Sequence, residues 1–322
     1  MTHRLPTLLC TGLALLALAA CYDNEPLITA PAPRPGSTVI TTDRDDANIR
    51  TRVMAYGEDG RLNLGSLWPE SLTPGRYHAF AWNVGTRYLT VEHGTATILR
   101  QTGGLLPSVG ELWTAYADFD VLAGQETPVS LTLQPQTRLL TLALRVDPGQ
   151  AERVRRLTAT LSGVRRTRVV DPVQAAVITG ASTRADSDTD TGGTVRLDFT
   201  LNADGTAFTA SARLLGFVPG AEHILRLSLT DWDGHTASRD FDLTEDLAGF
   251  DTGDDASLPP DGFQLEAGID IPEPTPEPEP EPTPDPEPEP EPEPTPVPPL
   301  FSIDGWTPAD DAEGGADMDV DK

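Results

Sequence analysis

The chain has almost no cysteine, with only Cys10 and Cys21 among its 322 residues. Cys10 lies inside an apolar N-terminal stretch that we expect to be removed, so the mature chain keeps one thiol. A single thiol forms no internal disulfide and supplies no Cys₂ or Cys₄ metal site. The fold must therefore be held together by the burial of apolar side chains.

Lysine is also nearly absent, and the total of 23 Lys and Arg is outweighed by 50 Asp and Glu, giving a net charge of −27. Binding nucleic acid or anionic lipid headgroups requires clustered positive charge, so both are poor partners for this surface. One basic cluster brackets two short apolar runs, and this pattern predicts a solvated sheet face. Its members are Arg153, Arg155, Arg156, Arg165, Arg166 and Arg168.

Long apolar runs are missing except at the N-terminus, where residues 8–20 follow the basic side chain of Arg4. A helix of this length spans about 20 Å, which is short of a roughly 30 Å hydrocarbon core. Residues 1–20 are therefore predicted to be a secretory signal peptide. The sequence Leu18-Ala19-Ala20-Cys21 is similar to a bacterial lipobox, which predicts acylation (palmitate) of Cys21. The alternative is an ordinary cleaved signal that happens to precede a cysteine.

Recognisable catalytic motifs are lacking too. The sequence contains no Gly-x-Ser-x-Gly, no His-Glu-x-x-His and no phosphate-binding glycine loop. The mature histidines are isolated from one another and are interpreted as strand or turn residues; they are His78, His93, His223 and His235. We therefore expect no enzymatic activity, no cofactor and no small-molecule substrate.

Two patterns suggest binding sites. Alternating acids at Asp186, Asp188 and Asp190 are similar to the first half of a Ca²⁺-binding loop, but the expected glycine comes one position late and the bidentate acid is missing. A solvated acidic loop is the simpler interpretation. The tryptophans Trp113, Trp232 and Trp306 would form a sugar-stacking platform if exposed, although packing in a core or hairpin is more common for this residue.

What the sequence does contain is β-strand pattern. Short apolar runs rich in Val, Leu, Thr and aromatic residues alternate with Gly, Pro, Asn and Asp turns between residues 48 and 271, which favours an all-β fold of β-sandwiches. Residues 76–83 carry apolar side chains on both faces, which predicts a strand buried on both sides. Turns are expected at residues 202–205 and 231–234, and short helices near residues 148–156 and 244–250.

The predicted organisation has six parts. Residues 1–20 are the signal peptide and residues 21–47 form a lipidated, Pro- and Gly-containing tether. Two β-sandwich domains follow, at 48–134 and 135–271. Residues 272–299 contain 15 prolines, mostly alternating with Glu or Thr, and are predicted to be a stiff polyproline II spacer. In the acidic tail, 300–322, two segments (301–306 and 318–320) alternate apolar and polar residues. They are predicted to return to the second domain as an edge hairpin, and the alternative is that they stay disordered.

Six segments follow one another in a distinctive order after the acylated cysteine and its acidic tether. They are residues 53–60 (VMAYGEDG), 72–83 (LTPGRYHAFAWN), 111–113 (ELW), the 131–146 junction, 157–164 (LTATLSGV) and 233–244. In this order they resemble the fimbrillin-associated anchor lipoproteins of type V pili. The resemblance covers about residues 21–270, and the long Pro-Glu run departs from it.

The resemblance implies two tandem transthyretin-like β-sandwich domains held on the outer membrane by the lipid on Cys21, exposed at the cell surface. It also implies a role as a fimbrial anchor or minor subunit whose partners are pilus subunits joined by strand addition. Two other functions remain open: a carbohydrate-binding surface lipoprotein beside a nutrient importer, and a Ca²⁺-dependent adhesin that uses the loop of Asp186, Asp188 and Asp190.

Overall fold

The structure is a computed structural model, and it describes residues 34–44, 48–64, 72–101, 103–179, 192–251, 258–271, 301–303 and 305–308. The signal peptide, Cys21, the acidic loop of Asp186, Asp188 and Asp190, and the Pro-Glu spacer lie outside these residues. The described part of the chain contains no helix that is long and apolar enough to cross a membrane.

The N-terminal half forms two sheets. A four-stranded antiparallel sheet has the order β2-β3-β6-β8, and a two-stranded parallel sheet pairs β1 with β7. The strands of this half are β1 (Ser37–Thr42), β2 (Ile49–Ala55), β3 (Gly75–Asn83), β4 (Leu89–Glu92), β5 (Thr95–Ile98), β6 (Trp113–Val121), β7 (Glu126–Leu131) and β8 (Gln134–Pro135).

The C-terminal half forms a four-stranded and a six-stranded sheet, whose buried side chains share one core. Its elements are β9 (Arg138–Arg145), α1 (Pro148–Ala151), β10 (Val154–Val164), β11 (Thr167–Val169), α2 (Pro172–Thr179), β12 (Gly193–Asp198), β13 (Thr200–Leu201), β14 (Ala207–Leu214), β15 (Ile224–Asp231), β16 (Thr236–Asp242), β17 (Phe263–Asp270), β18 (Ser302–Ile303) and β19 (Thr307–Pro308). One sheet has the order β12-β10-β15-β16. The other has the order β13-β14-β9-β17-β18, with β19 also paired to β17.

A fifth sheet, of three strands, links the two halves. Strand β11 pairs with β5, and β5 pairs with β4, so a strand from the C-terminal half completes a sheet begun by the N-terminal half. The buried polar network described in the next subsection lies beside this sheet, at the junction of the two halves.

The core follows the period-two alternation of the strands. In the C-terminal half the leucines that alternate along β9 and β15 are fully buried: Leu140, Leu142, Leu144, Leu225, Leu227 and Leu229. In β3, Tyr77, Ala79 and Ala81 are buried on one face, and His78 and Phe80 on the other. The predictions of an all-β sandwich fold and of a strand buried on both sides are confirmed.

Part of the segment predicted as an irregular tether is instead a strand. Strand β1 has the sequence STVITT and pairs in parallel with β7, placing Ile40 opposite Val129. The β-branched residues Thr38, Val39, Ile40, Thr41 and Thr42 favour the extended backbone. The prolines that suggested a tether lie upstream, at positions 26–35.

The expected turns and helices are only partly present. Gly205 and Gly234 adopt positive φ angles of 71° and 92° in the two predicted hairpin turns, which are confirmed. A short helix forms at Pro148–Ala151. The helix predicted near residues 244–250 is wrong, because this segment forms successive turns that bury Leu247 and Phe250.

Candidate functional site

Among the residues that the structure describes, no strand pairs with the outer edge of β16. Strand β16 pairs with β15 on one side, with Leu227 opposite Arg239. At the two ends of this pair, Leu243 N donates to His223 O and Asp231 N donates to His235 O. These hydrogen bonds identify the residues of β16 whose backbone groups bond to β15. In an antiparallel pair the hydrogen-bonded positions alternate. The N–H and C=O groups of Thr236, Ser238 and Asp240 therefore point away from the sheet.

Side chains on the exposed face of the sheet link β16 to β15. The guanidinium of Arg226 donates two hydrogen bonds to Asp240, of 2.8 and 2.7 Å. Hydroxyl pairs join Ser228 to Ser238 and Thr230 to Thr236, at 2.9 and 3.0 Å. The hydrogen bonds from Arg226 hold the pKa of Asp240 below its usual value. The open edge is therefore ordered before any partner binds, and the carboxylate of Asp240 stays charged at neutral pH.

Other long strands of the C-terminal half have both edges occupied. At the second edge of β12, Leu106 N donates a hydrogen bond to Thr194 O. At the second edge of β14, Val109 N donates to Arg213 O. Strand β17 is closed by β18 and β19. Within the described residues of this half, β16 is the only strand of six or more residues with no backbone partner along one edge. Exposed charges on β16 oppose indiscriminate pairing.

A buried histidine lies between two carboxylates at the junction of the halves. His78 on β3 is fully buried; its Nδ1 lies 2.7 Å from Asp118 Oδ1 and its Nε2 lies 2.8 Å from Asp171 Oδ2. A protonated imidazole donates from both ring nitrogens, which suits a position between two carboxylate oxygens. Burial lowers the pKa of His78, but the hydrogen bonds and charges of Asp171 and Asp118 outweigh it and raise the pKa overall.

Each carboxylate is held by its own partners. Asp171 caps helix α2: its Oδ1 accepts the backbone N–H groups of Val173 and Gln174, and its Oδ2 accepts Gln174 Nε2. Asp118 accepts hydrogen bonds from Tyr56 and Arg76. Burial and the bond to Asp118 raise the pKa of Tyr56 to about 12. The network therefore fastens β3 and β6 to the start of α2, and we assign it a structural role.

The remaining histidines are single, as predicted. His93 lies in a turn with φ of 48°. His223 is buried against Phe217, and burial lowers its pKa. His235 lies in the hairpin turn, where its Nδ1 lies 3.1 Å from Asp231. The side chains of Asp231, Asp233 and His235 place possible metal-ligand atoms within 4.8 Å of one another. Asp231 and His235 already bond to each other across the turn, and we assign no metal there.

The three tryptophans differ in exposure. Trp113 is half-buried beneath the guanidinium of Arg44, and Trp306 packs against the core. Trp232 is 66% exposed, and its indole N–H donates to Glu152 O at 2.8 Å. The three tryptophans therefore do not form the sugar-stacking platform considered above. Trp232 alone presents an exposed aromatic ring in a fixed orientation.

The prediction that the arginine cluster forms a solvated face is confirmed for Arg155 and Arg156 and is wrong for Arg168. Arg168 is 6% exposed and donates to Gln136 Oε1 and Leu215 O. Strand β11 turns this side chain into the junction, where buried oxygens accept its protons. The other predicted sites, Cys21 and the acidic loop Asp186, Asp188 and Asp190, lie outside the described residues.

No protein-family model and no curated protein matches the sequence. Solved structures that it is similar to include the fimbrial anchor protein Mfa2 from Porphyromonas gingivalis, with 15% identity, a TM-score of 0.44, and coverage of 74% of this chain and 91% of that chain. A candidate adhesin from Bacteroides ovatus has 14% identity, a TM-score of 0.44, and coverage of 67% and 84%. A candidate polysaccharide-binding protein from Bacteroides thetaiotaomicron has 9% identity, a TM-score of 0.44, and coverage of 72% and 90%.

These values describe a distant likeness in strand arrangement and transfer no site or partner to this chain. The similar structures include a fimbrial anchor protein and adhesins.

Proposed function

We propose that this chain is a non-enzymatic, cell-surface lipoprotein of the outer membrane that anchors a type V fimbria or joins it as a minor subunit. The lipobox before Cys21 and the polar segment after it support acylation and a tethered surface position. The order of segments along residues 21–270 supports the fimbrial role. The observation that carries the proposal is the open edge of β16.

Strand addition suits this edge physically. A donated strand would pair with the outward N–H and C=O groups of Thr236, Ser238 and Asp240. Each backbone hydrogen bond contributes a net of about 0.5–1.5 kcal/mol, and the paired strand extends a sheet that already packs on a core. The side chains of Arg239, Asp240 and Asp242 would select a partner strand of matching charge.

The test is a proline on the open edge. Ser238→Pro removes an N–H that points away from β15, so the pairing with β15 is kept, and proline is tolerated on edge strands. We expect binding of the partner subunit to fall about tenfold or more, because one donor is lost and the proline ring obstructs the incoming strand. Co-purification of pilus subunits with the full-length lipoprotein from membranes measures this.

The matched control is Ser238→Ala, which keeps the backbone N–H and loses only the hydroxyl contact with Ser228. It is expected to bind normally. Equal binding by the Pro and Ala variants, with both folded, would exclude β16 as the acceptor edge.

A carbohydrate-binding function is the second candidate, and the exposed indole of Trp232 is what favours it. Because its N–H is fixed to Glu152, the ring offers a preset face for stacking on a sugar. That function predicts binding on a glycan array that falls about tenfold in Trp232→Ala and is largely kept in Trp232→Phe. The fimbrial proposal expects no glycan binding that depends on Trp232.

A further inference from the structure

A solvent-accessible cleft lies beside the first residues of strand β10. Its volume is about 270 Å³, and it is bounded by β10, by the end of β12 and by the start of β14. Apolar side chains form part of its lining: Phe199, Leu201 and Phe208. The charged residues of the lining are Arg155, Arg156 and Asp198. We refer to this feature as the arginine cleft.

A β-bulge brings the two arginines together. Val154 lies opposite Asp231 and Arg156 lies opposite Thr230, so Arg155 is the extra residue of the bulge. A bulge changes the direction in which its side chains point. Both arginines are exposed, and both line the cleft. Two consecutive positive charges therefore lie side by side at its opening.

The positive charge of the arginine cleft is only partly neutralised. The guanidinium of Arg156 lies 3.9 Å from Asp198, which also accepts hydrogen bonds from Arg196 at 2.9 and 3.1 Å. One carboxylate is therefore shared by two guanidinium groups. Within the described part of the chain, Arg155 has no ion-pair partner. The cleft thus attracts anionic groups, although the whole chain has a net charge of −27.

The Pro-Glu spacer begins beside this cleft. Gln150 Oε1 accepts the backbone N–H of Ile271, and Arg153 donates to the carbonyl of Ile271 at 3.2 Å. Ile271 directly precedes the spacer, residues 272–299, and the first acid of the spacer follows two residues later. Arg153 precedes Arg155 by two residues, which is about 7 Å along an extended backbone. The start of the spacer is therefore held next to the arginines.

The far end of the spacer returns to the same place. Asp270 and Ser302 lie opposite each other, about 5 Å apart at Cα. Residues 272–299 carry nine acidic side chains and no basic one. Because both ends are held together, these acids reach no farther from Asp270 than about half of the extended length, roughly 45 Å. Their effective concentration around the arginine cleft is about millimolar.

The composition of the spacer matches both kinds of group at this surface. Glutamate carboxylates suit the guanidinium groups of Arg155 and Arg156, which bind carboxylates through paired hydrogen bonds. Proline-rich segments dock on exposed aromatic rings. Trp232 offers such a ring: it is 66% exposed, and its indole N–H is fixed to Glu152 O, two residues before β10.

We infer that the arginine cleft, together with Trp232, is a docking surface for the chain's own Pro-Glu spacer. The arginines bind its carboxylates, and the tryptophan packs on its proline rings. Docking also relieves the mutual repulsion of nine carboxylates in a segment whose ends are held together. The spacer then lies along the second domain, where it occupies the cleft. This inference does not depend on the fimbrial role.

Carbodiimide coupling on the full-length chain tests the docking, because this reagent joins an amine to a carboxylate in contact with it. Lys322 is the only lysine of the sequence, so Arg155→Lys adds one defined amine to the cleft and keeps its charge. The lipoprotein is purified from membranes and coupled at low salt, and the coupled peptides are identified by mass spectrometry. We expect the amine at position 155 to couple mainly to acids of residues 272–299. The yield should fall about tenfold or more in 1 M NaCl, where the Debye length is about 3 Å.

Two variants serve as matched controls. Arg145→Lys also places an amine near the start of the spacer, but Arg145 has an ion-pair partner in Glu266, so coupling to Glu266 is expected. Arg100→Lys places an exposed amine on the N-terminal half and should couple to the spacer about tenfold more slowly than the amine at position 155. Mixing chains that carry light and heavy nitrogen distinguishes coupling within a chain from coupling between chains.

Salt-sensitive coupling of the amine at position 155 to the spacer of the same chain is the result expected. Coupling of that amine only to Asp198 or to other acids of the folded domains would overturn the inference. Equal spacer coupling by the amines at positions 155 and 100 would overturn it too. Spacer crosslinks that join heavy to light chains would show that the occupant is a second copy and would contradict docking within one chain.

Discussion

Replacing His78 by alanine is expected to lower the free energy of unfolding by about 3–5 kcal/mol, the usual cost of removing one partner from a buried ion pair. The imidazolium is fully buried, and its removal leaves the carboxylate of Asp171, also fully buried, without its countercharge. Asp118 retains Arg76 and Tyr56. Urea unfolding of the mature chain at pH 5.5 measures the loss, with backbone circular dichroism as the probe.

The matched control is His235→Ala. His235 also lies beside a carboxylate, that of Asp231, but it is 71% exposed. An exposed pair of this kind contributes about 0–1 kcal/mol. If both substitutions had the same small effect, the buried network would not be the link between the halves that its geometry indicates.

The pH dependence of the His78 effect has a definite sign. The pKa of His78 is raised in the folded chain above its ordinary 6.5, so its contribution is fully present below pH 6.5 and is lost as pH rises through the folded pKa. The pKa of Asp118 is lowered from 3.8 because hydrogen bonds from His78, Tyr56 and Arg76 outweigh the effect of burial. Its contribution is lost as pH falls below that value.

The difference in stability between the wild type and His78→Ala should therefore be largest between about pH 4 and pH 6.5 and should shrink at higher pH. Unfolding midpoints at a series of pH values test this. A difference that grows above pH 7 would mean that the imidazole is neutral in the folded protein.

The sequence predicted most strands because apolar alternation and turn glycines are local signals. The burial of β3 on both faces was visible in its own residues, with Phe80 and Ala81 pointing in opposite directions. Strand β1 was missed because neighbouring prolines outweighed a short β-branched run. Its partner β7 lies 88 or more residues away along the chain, so the neighbouring sequence gives no sign of this pairing.

The polar network was beyond local prediction for a similar reason. His78 meets Asp118 and Asp171 at separations of 40 and 93 residues, and in a chain with 50 acidic residues no single carboxylate stands out. The sequence Asp171-Pro172 did carry one usable signal, because Asp followed by Pro is a common helix start. Residues 302–303 and 307–308 pair with β17. Residues 318–320, the other strand of the predicted hairpin, lie outside the described part of the chain, so the hairpin stays a prediction.

Loss of this lipoprotein is expected to release assembled pili from the cell. If the chain holds the base of the fimbria, shafts assembled without it have no attachment to the membrane and should be shed or grow overlong. The effect should approach completeness, because the acyl group on Cys21 is the only anchor that the sequence predicts. Cys21→Ser should reproduce the effect, whereas Trp232→Ala should leave the pili attached.

The most direct measurement is therefore the distribution of assembled pili between the cell fraction and the medium, comparing the host with a strain that lacks the gene. Our account predicts that pili move from the cells into the medium and that re-expression of the wild-type chain, but not of Ser238→Pro, restores them to the cells. Pili that remain attached at normal length in the deletion strain, or a host that makes no pili, would contradict it.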